Sequence, residues 1–260
     1  MINTPTEVLK TTVQMALKKY QGSQVKLAVL GLLGGAFIAM GGLLSFYIAF
    51  GSPTLTEGAP GFLRLMQGIP FPLGLILIVL VGGELVTGNT AILFTGARKG
   101  LIPWRYLGAN WLMTWLTNFA GAVLFCYFLV HLTGLLQVEP WHSSIINVAV
   151  SKVSLPWHVV FLKGVAANWL VCLAIWLGLS SNEMIGRMIG LWLPVMTFVT
   201  LSFEHSVANM FYLPMGMMSG ADVSIWEMLW RNIIPATLGN IVGGAILVGM
   251  IYSYAFKTKE

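Results

Sequence analysis

Charge is what this chain has least of. Only 9% of its 260 residues are Asp, Glu, Lys or Arg, against roughly a quarter in a soluble domain, and the mean hydropathy is +0.82. Water is therefore not its main solvent. Aspartate is almost missing, with Asp222 alone in a short polar stretch, and no Gly-x-Ser-x-Gly occurs. An intramembrane hydrolase would need a nucleophile paired with a base, and the sequence offers none. Cys126 and Cys172 each sit inside an apolar run with no Cys-x-x-Cys and no ligand-spaced neighbour, so they read as small core residues and neither a disulfide, a metal nor a cofactor is expected. The formal charge of +5 comes from basic residues spread along the ends of apolar runs. They form no dense patch, which excludes nucleic acid as a partner and leaves topology as their explanation.

What is present is apolar length. A bilayer core takes about 20 apolar residues per helix, and six stretches supply them: Val25 to Phe50, Gly68 to Phe94, Leu107 to Leu132, Trp157 to Leu179, Met188 to Met218, and Ile233 to Phe256. Ahead of them, residues 1–24 read as an amphipathic helix on the membrane surface. Thr4-Pro5-Thr6-Glu7 supplies an N-cap, a first-turn proline and a Glu at the third helical position, and Leu9, Val13, Ala16, Leu17 and Tyr20 share a face. The first apolar run follows this polar segment and outlasts the core of a signal peptide. Residues 25–260 then form one six-span domain.

With the N-terminus in the cytoplasm, Lys10, Lys18, Lys19, Lys26, Arg98, Lys99, Arg105, Arg187, Lys257 and Lys259 all fall inside. Arg64, Lys152, Lys163 and Arg231 fall at or near the outer face. The positive-inside rule gives both termini to the cytoplasm.

Two spans carry acids at membrane depth, within Gly82-Gly83-Glu84-Leu85-Val86-Thr87-Gly88-Asn89 and Ser202-Phe203-Glu204-His205-Ser206-Val207-Ala208-Asn209. Paired glycines in one and runs of polar side chains in both predict broken helices, because irregular backbone survives in a membrane only where protein or a polar cavity satisfies it. The breaks share the spacing Glu-x4-Asn, 120 positions apart. The third and sixth spans repeat in parallel: Asn110 to Asn118 and then Phe-Ala-Gly-Ala-Val-Leu matches Asn232 to Asn240 and then Ile-Val-Gly-Gly-Ala-Ile, at an offset of 122. A three-plus-three duplication follows. An odd number of spans per half inverts one half against the other, so the two breaks meet near the midplane, where transporters of this plan keep their site. Aquaporins share the plan, but their paired Asn-Pro-Ala is absent here. A purely structural or receptor protein would leave two polar interruptions at matched depth unexplained.

The stretch Gly83 to Asn89 resembles the first signature of the formate/nitrite transporter family, and Gly164-Val165-Ala166-Ala167-Asn168-Trp169-Leu170-Val171-Cys172-Leu173-Ala174-Ile175-Trp176 resembles its second. Phe203 to Met210 and Thr237-Leu238-Gly239-Asn240 extend the likeness in order over nearly the whole chain; Val86 stands where the family usually has an aromatic residue or Ile. The resemblance implies an all-α, aquaporin-like protomer in a homopentamer in the cytoplasmic membrane of a bacterium or archaeon. Each subunit would hold its own pore around a lipid-filled or plugged central axis. Its substrate would be a small monovalent anion, formate first, with nitrite or hydrosulfide as the alternatives, passing with or without a proton.

By the same resemblance, Phe71 and Phe198 would form the outer constriction and Leu85 the inner one, around a chamber holding His205 and Thr87. A dehydrating anion needs donors at the narrow point. His205 is the one histidine in the middle of a span; neutral imidazole offers one hydrogen bond, imidazolium a charge as well. Lys152 and Lys163 would make the outer vestibule positive. A lysine or an amide such as Asn168 should satisfy the buried Glu204. Asn89, Asn168, Asn209 and Asn240 would hold the loops and orient His205, with Glu84 in the matching place of the first half.

Overall fold

The computed structural model describes residues 2–256; Lys257 and Lys259, counted above toward the charge split, lie outside them. The described chain is helical: α1 (Pro5–Tyr20), α2 (Gln24–Phe50), α3 (Pro60–Gly82), α4 (Val86–Arg98), α5 (Trp104–His131), α6 (Trp141–Ser154), α7 (Trp157–Ser180), α8 (Met184–Thr200), α9 (Ser206–Met218) and α10 (Ile225–Ala255). Among the described residues α2, α3, α5, α7 and α10 are each long and apolar enough to cross a membrane. The second pass is completed by α4 after a break, and the fifth is made of α8 and α9 with a break between them.

The second pass begins at Pro60 and the fifth at Met184, earlier than hydropathy places them. Pro60 occupies a first helical position, where its missing N–H costs nothing, and the turn after it continues apolar through Phe62, Leu63 and Leu65. The connection after the third pass contains α6, which hydropathy leaves as loop. Its buried residues Ile145, Ala149 and Val153 recur every four positions, a helical period too short for a crossing.

Helix α1 starts with a capping box. The Thr4 N–H donates to Glu7 Oε2 at 2.7 Å and the Glu7 N–H returns to Thr4 Oγ1 at 3.4 Å. Its buried side is Val8, Leu9, Thr12 and Ala16, turned from the face expected, while Tyr20 is exposed. The rotation follows from what α1 rests on. It lies along α4, with Ala16 directly against Gly96, and its first residues are tied to the end of α7 by Asn3 N–H to Ser180 O at 2.7 Å. α6 lies along α9 in the same way, through Ala149 against Gly216. The repeat unit is therefore a surface helix plus three passes, and α1 belongs to the first half as α6 belongs to the second.

Within each half the first and third passes pack closely. Gly121 of α5 lies on the Leu32 carbonyl of α2, and Gly243 of α10 lies on the Val165 carbonyl of α7, contacts that any Cβ would block. The near face carries α1 and the N-terminus; the far face carries α6.

Candidate permeation site

A carboxylate at membrane depth survives only if every oxygen is answered. Glu204 is 3% exposed. Lys152 Nζ of α6 donates to both its oxygens at 3.0 Å, Asn209 Nδ2 to Oε2 at 2.6 Å, and Asn232 Nδ2 to Oε2 at 3.2 Å. Asn209 also donates to Asn232 Oδ1 at 2.6 Å. The first half repeats this arrangement. Lys19 Nζ of α1 donates to both oxygens of Glu84 at 2.6 Å, and Asn89 Nδ2 donates to Glu84 Oε2 at 2.9 Å and to Asn110 Oδ1 at 3.0 Å.

The broken backbone is answered by two further asparagines. Asn118 Oδ1 accepts the Val86 N–H at 3.0 Å, and its amide donates to Gly31 O and Glu84 O, both at 2.8 Å. Asn240 Oδ1 accepts the Ser206 N–H at 2.8 Å, and its amide donates to Gly164 O at 2.8 Å and Glu204 O at 3.0 Å. Each asparagine thus closes three backbone groups that lipid could not. A π-helical turn, Ile78–Gly82, leads α3 into its break, the kind of local irregularity that accompanies functional sites.

The two breaks meet at Thr87 and His205. His205 Nδ1 accepts the Ala208 N–H at 3.1 Å and so caps α9. A neutral ring then carries its proton on Nε2, which lies 3.0 Å from Thr87 Oγ1. The threonine accepts there and keeps its own hydrogen free to donate. Asn168 does not reach Glu204. It donates to Thr87 O at 3.1 Å, Thr90 Oγ1 at 2.9 Å and Asn240 O at 2.5 Å, and so ties the start of α4 to α10.

On the far side, Phe71 and Phe198 meet edge to face with centroids 5.7 Å apart, and Phe198 stacks on the His205 ring at 5.6 Å. Beyond them opens a vestibule of 540 Å³ lined by Arg64, Lys152, Lys163, Ser202 and Glu204 among others. Arg64 donates to Gln67 at 3.1 Å, and the Lys163 ammonium has no ion-pair or hydrogen-bond partner among the described residues. The Lys163 carbonyl accepts the Glu204 N–H at 3.4 Å. On the near side Leu85 is buried, and the void next to Gly88, Cys172 and Thr12 measures only 10 Å³, about room for one water.

Lys19, Asn110, Asn118 and Asn232 complete the frame without having been singled out for the site. A signal existed: Lys19 and Lys152 stand 133 positions apart, as do Gly31 and Gly164.

A membrane protein of inverted halves, with two broken passes joined at one hydrogen-bonded pair behind a ring of phenylalanines, has the build of a channel or secondary transporter. The family model for formate/nitrite transporters matches residues 6–254, and the chain belongs to that family. It is 39% identical to a probable formate transporter of Methanothermobacter thermautotrophicus over 97% of this chain and 96% of that one. Among solved structures it resembles an FNT family ion channel (TM-score 0.87, 28% identity, 96% of this chain and 99% of the other). It also resembles a pentameric formate channel with formate bound (TM-score 0.78, 29% identity, 93% and 99%). The fold is thus the aquaporin-like inverted repeat of this family, a multi-pass membrane protein and not an enzyme.

Proposed function

We propose that this protein passes formate across the cytoplasmic membrane of a prokaryote through one pore in each subunit of a homopentamer, with nitrite and hydrosulfide as the alternative anions. The observation that carries this is the Thr87–His205 pair, one residue from each half, held behind the Phe71–Phe198 rings. An apolar constriction excludes bulk water and makes a bare charge costly to move. The free hydrogen of Thr87 answers part of that cost by donating to the anion. His205 answers more if it enters the step as imidazolium and gives a proton to a carboxylate oxygen, returning to neutral imidazole, since formate then crosses partly as the neutral acid. Arg64, Lys152 and Lys163 would raise the anion concentration in the vestibule. Leu85 would form the constriction on the other side. The excess of Lys and Arg at the near face supports a cytoplasmic near face, and membrane lipids would surround the assembly.

The test is uptake of labelled formate, nitrite and hydrosulfide into proteoliposomes across a pH series. Flux of formate that rises as the outside is acidified supports the reading. Liposomes no leakier to any of the three than protein-free ones would sink it. Accumulation driven by a proton gradient marks coupling, and equilibration without it marks a passive channel.

A further inference from the structure

At three positions around its break the fifth pass carries a hydroxyl where the second pass does not. At positions matched by the offset of 120, the second pass has Leu80, Gly82 and Val86, and the fifth has Thr200, Ser202 and Ser206. None of these three hydroxyls is used by the protein. Thr200 Oγ1 and Ser206 Oγ are the two buried side-chain polar atoms without a hydrogen-bond partner among the described residues. Ser202 Oγ has no partner there either, and its residue is part-exposed and lines the vestibule. Buried orphan polar groups are rare and point to a water or ion that the chain itself does not supply.

Ser202 is also the one non-glycine residue at positive φ among the described residues, at 55°. Gly82, its counterpart, has φ 116°, so the matched position in the other half is held by the residue that enters positive φ without steric cost. A side chain kept where glycine would suffice asks for a use. The turn fixes where it stands: Ser202 N–H donates to Val199 O at 2.9 Å and Phe203 N–H to Phe198 O at 3.0 Å, so Ser202 is anchored to the backbone that carries the constriction ring. Lys163, with its unpaired ammonium, lines the same vestibule.

We propose that Ser202 is a substrate-contacting residue, whose hydroxyl donates to the small anion on the vestibule side of the Phe71–Phe198 rings and replaces the first water the anion sheds there. This rests on the anion-channel reading above. The lysine supplies attraction without direction; the hydroxyl on a rigid left-handed turn supplies direction. Because the contact is made before the rings and left behind at them, it governs half-saturation more than maximal flux.

Formate flux into proteoliposomes is to be measured against concentration for the wild type, Ser202→Gly and Ser202→Asn, with thermal midpoints in detergent. Glycine keeps the backbone conformation and removes the hydroxyl; asparagine tolerates positive φ and keeps a donor. Ser202→Gly should raise the half-saturating formate concentration about tenfold, the scale of one hydrogen bond to a charged group, with maximal flux within about twofold and an unchanged midpoint, and Ser202→Asn should recover most of the loss. A wild-type half-saturation in Ser202→Gly overturns the proposal, as does a fall in maximal flux that tracks a lowered midpoint. If the wild type itself passes no formate, the channel reading fails first and takes this contact with it, a result distinct from either.

Discussion

Asn118 and Asn240 do the same work in opposite halves, each accepting one amide hydrogen and donating to two carbonyls of a broken helix. Lys19 and Lys152 likewise reach from surface helices to Glu84 and Glu204. The side chains inside that common frame differ: Leu85 faces His205 across the repeat, Thr87 matches Val207, and Gly35 matches Asn168. The frame answers to the membrane, which is the same on both sides of the duplication, so it stays symmetric. On the reading proposed above, the side chains inside the frame answer to a single site where the halves meet, so each half supplies a different part of it.

The frame can be broken by removing its asparagines. Asn118→Leu and Asn240→Leu each strand three buried backbone groups, at about 1–3 kcal/mol per group left unpaired. Both should fail to give a monodisperse species or should lose many degrees of thermal midpoint by size-exclusion in detergent, and by similar amounts. A well-folded Asn118→Leu beside an unfolded Asn240→Leu would show that the halves are not equivalent in stability.

Next in size are the ion pairs. Removing one partner of a buried pair costs about 3–5 kcal/mol, and Glu204, with its side chain 5% exposed against 12% for Glu84, should be nearer the full figure. Lys152→Met is thus expected to lower the midpoint more than Lys19→Met, and adding Glu204→Gln to Lys152→Met should restore much of the loss. Only the Lys152 variant should also raise the half-saturating formate concentration, since Lys152 lines the vestibule. Equal effects on half-saturation from both lysines would contradict the asymmetry of the pore.

How much of this was legible in the sequence depends on which of those two demands set the residue. Glu-x4-Asn and Asn-x7-Asn recur because the frame recurs, so the duplication and its inversion could be read from spacing once apolar length had given the six passes. Asn168 could be noticed but not placed: a buried amide pairs with whichever carbonyls the packing presents, and here these are Thr87 O and Asn240 O. Lys19 was hidden for a different reason. The offset between halves falls from 133 before the first connection to 120 after it, so a search tuned to the breaks passes over the surface helices. The helix α6 was hidden by hydropathy, which sees only segments long enough to cross.

The pore pair gives a functional rather than a structural contrast. His205→Asn keeps an acceptor for the Ala208 N–H, asparagine being a favoured N-cap, so it should fold and assemble. It cannot titrate, and formate flux should lose its dependence on pH between about 5 and 8, where histidine ordinarily changes charge. Thr87→Val removes one donor and should lower flux several-fold while leaving the shape of the pH profile intact. A wild-type pH profile in His205→Asn would reduce His205 to a fixed hydrogen-bond donor.

The smallest expected effect separates the two surface helices. α1 begins with the Thr4–Glu7 capping box, while α6 follows Pro140, which has no capping side chain, and its Ser143 N–H is answered by Glu139 Oε2 at 3.4 Å. The Thr4 backbone N–H, then its hydroxyl and more weakly Lys10, hold the Glu7 carboxyl below its ordinary value of 4.5. A carboxyl so lowered stabilises the folded helix start fully above that value, and the stabilisation is lost as pH falls through the lowered one. Glu7 is fully exposed, so the loss is local fraying and not unfolding. Amide exchange measured by mass spectrometry should show the first turn of α1 opening in Glu7→Ala at neutral pH, with no change in α6 and none in formate flux. In the wild type the same turn should loosen, relative to its intrinsic exchange rate, only in acid below the ordinary carboxylate range. If Glu7→Ala instead alters flux, the start of α1 is coupled to the pore through Lys19 and Glu84, and the first surface helix has a role that its counterpart at the far face lacks.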